Sequence, residues 1–160
     1  MSNARRMQRL LATQLRYGHR RLKCEALEDR RVLAVVTVTQ AGDPGIDTDD
    51  NAIDLREAIA YVNLDEVPVS DVNHIDLTEG WGQNDKIIIP SSIGSTITLT
   101  EGQMEIERSV EIQGPGSGML TIDADSDDDG VGDSRIFYIS DGARDTLQDV
   151  RISGLPFAGC

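Results

Sequence analysis

Cysteine is scarce: the chain has two in 160 residues, Cys24 and Cys160. One lies in a basic N-terminal stretch and the other is the last residue, so neither a disulfide framework nor a paired metal or redox motif is present. Aromatic residues make up only 4%, so any core must be built from Ile, Val and Leu. Long hydrophobic runs are missing too. Val32-Leu33-Ala34-Val35-Val36 falls far short of the roughly 20 apolar residues that span a bilayer, which excludes a transmembrane helix. The two histidines, His19 and His74, stand alone and read as solvated. No zinc motif, phosphate loop or nucleophile elbow occurs. Positive charge is absent where it would matter for nucleic acid: residues 32–160 carry a net charge of −19, and only residues 1–31, at +6, are basic. A body of that sign repels phosphates and excludes a nucleic-acid partner, while it attracts cations.

What is present is ordered along the chain. Residues 1–34 form a basic, Arg-rich segment ending in the short apolar run. It reads either as a basic terminus that binds acidic surfaces or as an export or processing leader, with a mature chain starting close to Ala34 or Val35. Val35 to Gln40 alternates as a first strand, and Ala41 to Asn51 is a polar loop. A helix follows. Asp54 and Glu57 form a capping box, Leu55, Ala58, Ile59 and Val62 make one apolar stripe, and Ile53 precedes the cap where it could staple onto Ala58. The helix is expected to end near Asn63. Leu64 to Asn84 is an acidic surface loop in which Trp81, between two glycines, either packs onto the body or stacks on a ligand. Lys86-Ile87-Ile88-Ile89-Pro90 is a strand stopped by proline.

From Thr96 to Gly154 the pattern is short strands punctuated by Gly, Asp and Ser. Ile97, Leu99, Ile106, Val110, Ile112, Leu120, Ile122, Ile136, Ile139, Val150 and Ile152 alternate with polar neighbours and are expected to point inward. Val110-Glu111-Ile112-Gln113-Gly114 returns forty residues later as Val150-Arg151-Ile152-Ser153-Gly154, a repeat of the kind stacked architectures show. The glycines at 114, 116, 118 and 154 are assigned to bends. Pattern alone admits either stacked β-coils or an ordinary β-sandwich.

Four stretches carry a resemblance. Leu27-Glu28-Asp29-Arg30-Arg31-Val32-Leu33-Ala34 resembles a leader motif of exported planctomycete proteins. Asp54-Leu55-Arg56-Glu57-Ala58-Ile59 is similar to the Ser-Leu-Arg-Glu-Ala-Ile core of the CSLREA-type domain, with Ile53-Asp54 in place of that family's Cys-Ser. Asn84 to Pro90 with Thr96 to Thr100 looks like its next two strands, and Ser109 to Gly116 with Leu120 to Asp123 looks like its Gly-Pro-Gly coil. The resemblance implies an all-β fold, a right-handed parallel β-helix (solenoid) with one short N-terminal capping helix, on a secreted or cell-surface protein. The family usually continues with further coils, whereas this chain stops at Cys160, so residues 35–160 are expected to be the N-terminal portion of a truncated β-helix domain.

One cluster carries chemistry of its own. Asp125, Asp127, Asp129 and Asp133 follow an Asp-x-Asp-x-Asp-Gly-x-x-Asp pattern, and alternate carboxylates around a glycine turn can converge on a hard cation such as Ca2+. The run resembles thrombospondin type 3 loops and the first half of an EF-hand, departing where Ile136 replaces the EF-hand's bidentate Glu. Its metal ligands would be those four aspartates, binding weakly and structurally; the bland reading is a solvated acidic turn. The functional expectation is a structural or adhesive module without catalysis, meeting a surface or extracellular partner such as a polysaccharide. The alternative is a polysaccharide lyase or hydrolase, which needs paired carboxylates or a base in a groove. Candidate carboxylates are plentiful, but most, such as Glu105, Glu107 and Glu111, face out of their strands singly.

Overall fold

A computed structural model describes residues 34–46, 50–78, 80–82, 85–140 and 150–158. The leader assigned to residues 1–34 lies outside the described residues except for Ala34, which is buried and donates its N–H to Asp85 Oδ1 at 2.9 Å.

Strand β1 (Val35–Thr37) leads through the Asp43 loop to helix α1 (Leu55–Leu64). The capping box forms as read: Asp54 Oδ1 accepts from the Glu57 amide and Glu57 Oε2 accepts from the Asp54 amide. The helix ends at Leu64, where Asp65 turns left-handed (φ 58°). Its apolar stripe, Leu55, Ala58, Ile59 and Val62, is buried together with Ile53, and the helix packs on β3 and β5. Next come β2 (Ile75–Asp76), β3 (Asp85–Ile88), β4 (Thr96–Thr98), β5 (Met104–Ile106), β6 (Val110–Gln113), β7 (Thr121–Asp123), β8 (Phe137–Ile139), β9 (Val150–Ser153) and β10 (Phe157–Ala158).

The strands make three sheets. The first has five strands in the order β2-β1-β3-β6-β9, the second is β10-β7-β4 and the third is β5-β8. From β3 onward every pairing is parallel, and the register keeps like with like: Val36, Ile87, Ile112 and Ile152 align across the first sheet, and Ile97, Ile122 and Phe157 across the second. Successive inward residues thus stack into columns. Ile97, Leu99, Ile106, Val110, Ile112, Leu120, Ile122 and Ile136 are buried as read, whereas Ile139 is exposed and Val150 and Ile152 are only half-buried. The last three sit on β8 and β9, the outermost described strands of their sheets, so no further layer covers them among the described residues.

The expected all-β, right-handed parallel β-helix is corrected. The first sheet is mixed, because β2 runs antiparallel to β1, with Val36 opposite Ile75. Its five strands do not close into a solenoid, and α1 is a core element rather than a cap laid over an all-β stack. The physical cause is the segment after α1. Tyr61 Oη donates to Asp71 Oδ2 at 2.5 Å and the Asp71 amide bonds to the Pro68 carbonyl, which turns the chain back so that β2 meets β1 head to tail.

The repeated glycines have a packing role. A Cβ on Gly114 would lie 2.5 Å from the Gly154 carbonyl oxygen, and one on Gly154 would lie 2.9 Å from the Gly114 carbonyl oxygen. The backbones following β6 and β9 therefore touch, which only glycine permits, and Gly154 also takes φ +69°.

Candidate metal site and buried polar framework

The aspartate loop grows out of the end of β7. The Asp125 amide donates to Asp123 Oδ1, and the Asp125 carboxylate accepts the amides of Asp129 at 3.2 Å and Gly130 at 2.8 Å. Asp128 (φ 58°) and Gly130 (φ 83°) make the tight turn that brings those amides round. At the far end, Asp133 Oδ2 accepts from the Ser126 amide at 2.8 Å and from its hydroxyl at 2.5 Å, and the Asp133 amide bonds to the Ala124 carbonyl. The Ser126 hydroxyl and amide hold the Asp133 carboxyl below the usual carboxylate range.

Folding of this loop brings Asp125, Asp127 and Asp133 together: one carboxylate oxygen from each lies within 4.8 Å of the others. Two oxygens on opposite sides of one calcium, each about 2.4 Å from it, stand about 4.8 Å apart, so the spread suits a single ion. The donor set is oxygen only, which favours a hard cation over zinc or copper. Asp127 and Asp133 are exposed and Asp125 is half-buried, which leaves room for water to complete the six to eight ligands that calcium takes. Asp129, named with them from the sequence, does not belong to this group. Its Oδ1 accepts the Val131 amide at 2.8 Å and helps shape the turn.

Of the carboxylates considered for catalysis, Glu105 and Glu107 line one pocket and Glu111 does not. Glu105 and Glu107 are exposed beside a pocket of about 320 Å³ that Arg56, Asn63 and Gln103 also line. Arg56, the cation among the lining residues, is engaged by protein groups. Its guanidinium donates to Asp43 Oδ1 at 2.6 Å and Oδ2 at 2.9 Å, to the Gly102 carbonyl at 2.7 Å and to the Gln103 carbonyl at 3.0 Å. Glu111 stands 3.9 Å from Lys86 across the sheet. Trp81 is half-buried against the core, and the His74 ring reaches the Asn51 carbonyl at 3.1 Å.

Sequence reasoning missed a framework of polar side chains that bind backbone. Asp43, in what reads as a plain Gly-Asp-Pro-Gly loop, takes the amides of Thr100 and Glu101 at 2.7 and 3.1 Å. Asp85 takes those of Ala34 and Gly82. Asn63 donates to the Glu105 carbonyl at 2.9 Å and accepts from the Glu107 amide at 3.0 Å, doing for β5 what a neighbouring strand would do. Burial would raise the Asp43 carboxyl, but hydrogen bonds from Arg56, Glu101 and Thr100 outweigh it and hold the group below its ordinary range. At Asp85 burial prevails over two amide hydrogen bonds, and its carboxyl is raised. The only signal for any of this lay in the capping box, which placed Asp54 and Glu57 correctly.

Among the described residues, no helix is long and apolar enough to cross a membrane. Comparison with models of known protein families, with curated proteins and with solved structures found no match.

Proposed function

We propose that this chain is a structural module of an exported or cell-surface protein, without catalytic activity of its own, in which calcium orders the 125–133 turn. The observation that carries the reading is where the charged side chains are spent. Asp43, Arg56 and Asp85 bind backbone groups inside the molecule, and among the described residues the convergent set of carboxylates at Asp125, Asp127 and Asp133 has the oxygen-only chemistry of a cation site. Three carboxylates at that spacing repel one another, and a divalent ion removes the repulsion while pinning the loop between β7 and β8. An anionic surface with an exposed turn suits an extracellular setting, where free calcium is plentiful enough for weak sites to fill. Its partner there would be a surface or extracellular molecule such as a polysaccharide. The lyase or hydrolase reading is supported less, because Arg56, the cation beside Glu105 and Glu107, is tied to Asp43 and to two carbonyls.

Titration calorimetry on the full chain tests the calcium assignment. Binding in the high micromolar to millimolar range is expected, lost in Asp127→Ala and Asp133→Ala and weakened less in Asp129→Ala. No calcium-dependent heat up to about 10 mM, beyond the weak extracellular range, would return the loop to a solvated turn. Turnover of anionic polysaccharides by the purified chain would overturn the non-catalytic reading separately.

A further inference from the structure

Buried acids gather around helix α1: Asp54 caps it, Glu57 lies in its first turn and Asp71 comes from the segment that follows it. Asp54, Glu57 and Asp71 are all fully buried, and Tyr61 nearly so. Asp54 and Glu57 exchange the capping-box hydrogen bonds, and Tyr61 donates to Asp71. Two carboxylate oxygens in this cluster, Asp54 Oδ2 and Asp71 Oδ1, have no hydrogen-bond partner. A buried, ionised oxygen without a partner is costly, and at Asp54 a bound proton relieves that cost.

The charged groups around Asp54 do not neutralise it. On its own helix stand Arg56, Glu57 and Tyr61, and the preceding loop brings Asp43. The segment after the helix brings Asp71. Arg56 is the one cation among these, and its guanidinium is fully engaged by Asp43 and the Gly102 and Gln103 carbonyls. The strands packed against α1 add Asp85, bonded to the Ala34 and Gly82 amides, Lys86, beside Glu111, and Glu105, which is exposed.

We propose that the N-terminal turn of α1 is a proton-linked latch: as pH falls from mildly alkaline to mildly acidic, Asp54 takes up a proton and the helix docks more tightly on the core. The protonated carboxyl keeps Oδ1 as acceptor for the Glu57 amide, so the cap survives while one negative charge leaves a dry cluster of acids. Burial pushes the Asp54 carboxyl up to about 6, against the amide hydrogen bonds from Glu57 and Arg56 and the Arg56 charge, with the charge of Asp43 adding to the rise. Its ordinary value is 3.8. A raised carboxyl means that the folded chain binds the proton more tightly than the unfolded one. Stability from this group is therefore gained as pH falls through 6 and lost as pH rises through it. Between pH 8 and pH 5 the folding equilibrium shifts by about tenfold from this group alone.

Urea unfolding of the full chain at pH 5, 6, 7 and 8, with Asp54→Asn beside the wild type, tests the latch. Asparagine is neutral and still caps a helix. The expected result is a folding constant that, between pH 8 and pH 5, rises about tenfold more in the wild type than in the variant. Parallel profiles for the two proteins would overturn the proposal. Carbon-13 NMR of the aspartate carboxyls in the folded wild type is a second readout that does not depend on the variant folding. One carboxyl titrating near pH 6 and retained in Asp85→Asn supports the latch; no carboxyl titrating near pH 6, or one that disappears in Asp85→Asn, sinks it.

Discussion

Asp43 and Arg56 illustrate how single residues hold distant parts of this chain together. The Asp43 carboxylate is almost completely enclosed and takes both arms of the guanidinium as well as two amides from residues 100 and 101. Removing only Arg56 leaves that carboxylate buried without its cation and strips two carbonyls of their donor. Arg56→Ala is therefore expected to cost about 3–5 kcal/mol by urea denaturation. Arg56→Lys should recover only part of this, since an ammonium cannot grip the carboxylate at two points. The sign with pH is opposite to that of Asp54. A carboxyl held below its ordinary value contributes stability that is fully present above about pH 4 and is lost on further acidification through its folded value. A wild-type and Arg56→Ala difference that stays constant from pH 7 down to pH 2 would contradict the ion-pair account. None of this was legible in the sequence, because Asp43 reads locally as a turn residue and its partners lie 13 and 57 positions away. The capping box was legible, since all its parts fall within four consecutive residues.

At the scale of elements, the alternation of apolar and polar residues marked the strands and most of the inward face, because side-chain direction in a strand has period two whatever the strand pairs with. It did not reveal pairing direction. The two-residue strand β2 lies in a polar segment with no alternation to read, yet its antiparallel join to β1 makes the first sheet mixed. Nor did periodicity show how α1 closes the edge of β5. There the Asn63 side chain supplies a donor and an acceptor in the spacing of a peptide group. Asn63→Leu keeps the volume but leaves the Glu105 carbonyl and the Glu107 amide without that partner. Because the site is exposed and water can substitute, the expected loss is about 0.5–1.5 kcal/mol. Amide hydrogen exchange separates an edge clamp from a general weakening. The Glu107 amide should exchange faster in the variant while Ile112 in β6, shielded by strands on both sides, changes only with global stability. Equal acceleration at both amides would remove the clamp as an explanation.

The molecule as a whole carries far more negative charge than its ion pairs offset. The net charge is −13 over the full sequence, and the basic residues of the first 31 positions conceal a more acidic body. In the described body, Lys86 lies across from Glu111, Arg108 pairs with Asp65 and Arg56 with Asp43. Most of the remaining described acids, including Asp127, Asp128, Asp129 and Asp133, face solvent. Such a surface repels itself and works against the compact state, more strongly in dilute buffer than at physiological ionic strength, where the screening length is about 8 Å. Sodium chloride raised from about 10 mM to 150 mM should therefore raise the melting temperature, a reversal of the usual salt sensitivity of proteins rich in surface ion pairs. Calcium provides the sharper test at this scale. At equal ionic strength both salts screen, but only calcium can also occupy the convergent aspartates, and binding to the folded state alone adds a stabilisation that grows with free calcium. The expected outcome is a melting temperature higher in calcium chloride than in sodium chloride of matched ionic strength, with the excess abolished in Asp127→Ala. That variant should itself melt above the wild type in calcium-free buffer, because it loses one of three mutually repelling carboxylates and gives up no hydrogen bond identified for that side chain. Identical melting of the wild type in the two salts would leave screening as the only electrostatic effect and remove the ion from the account of this loop.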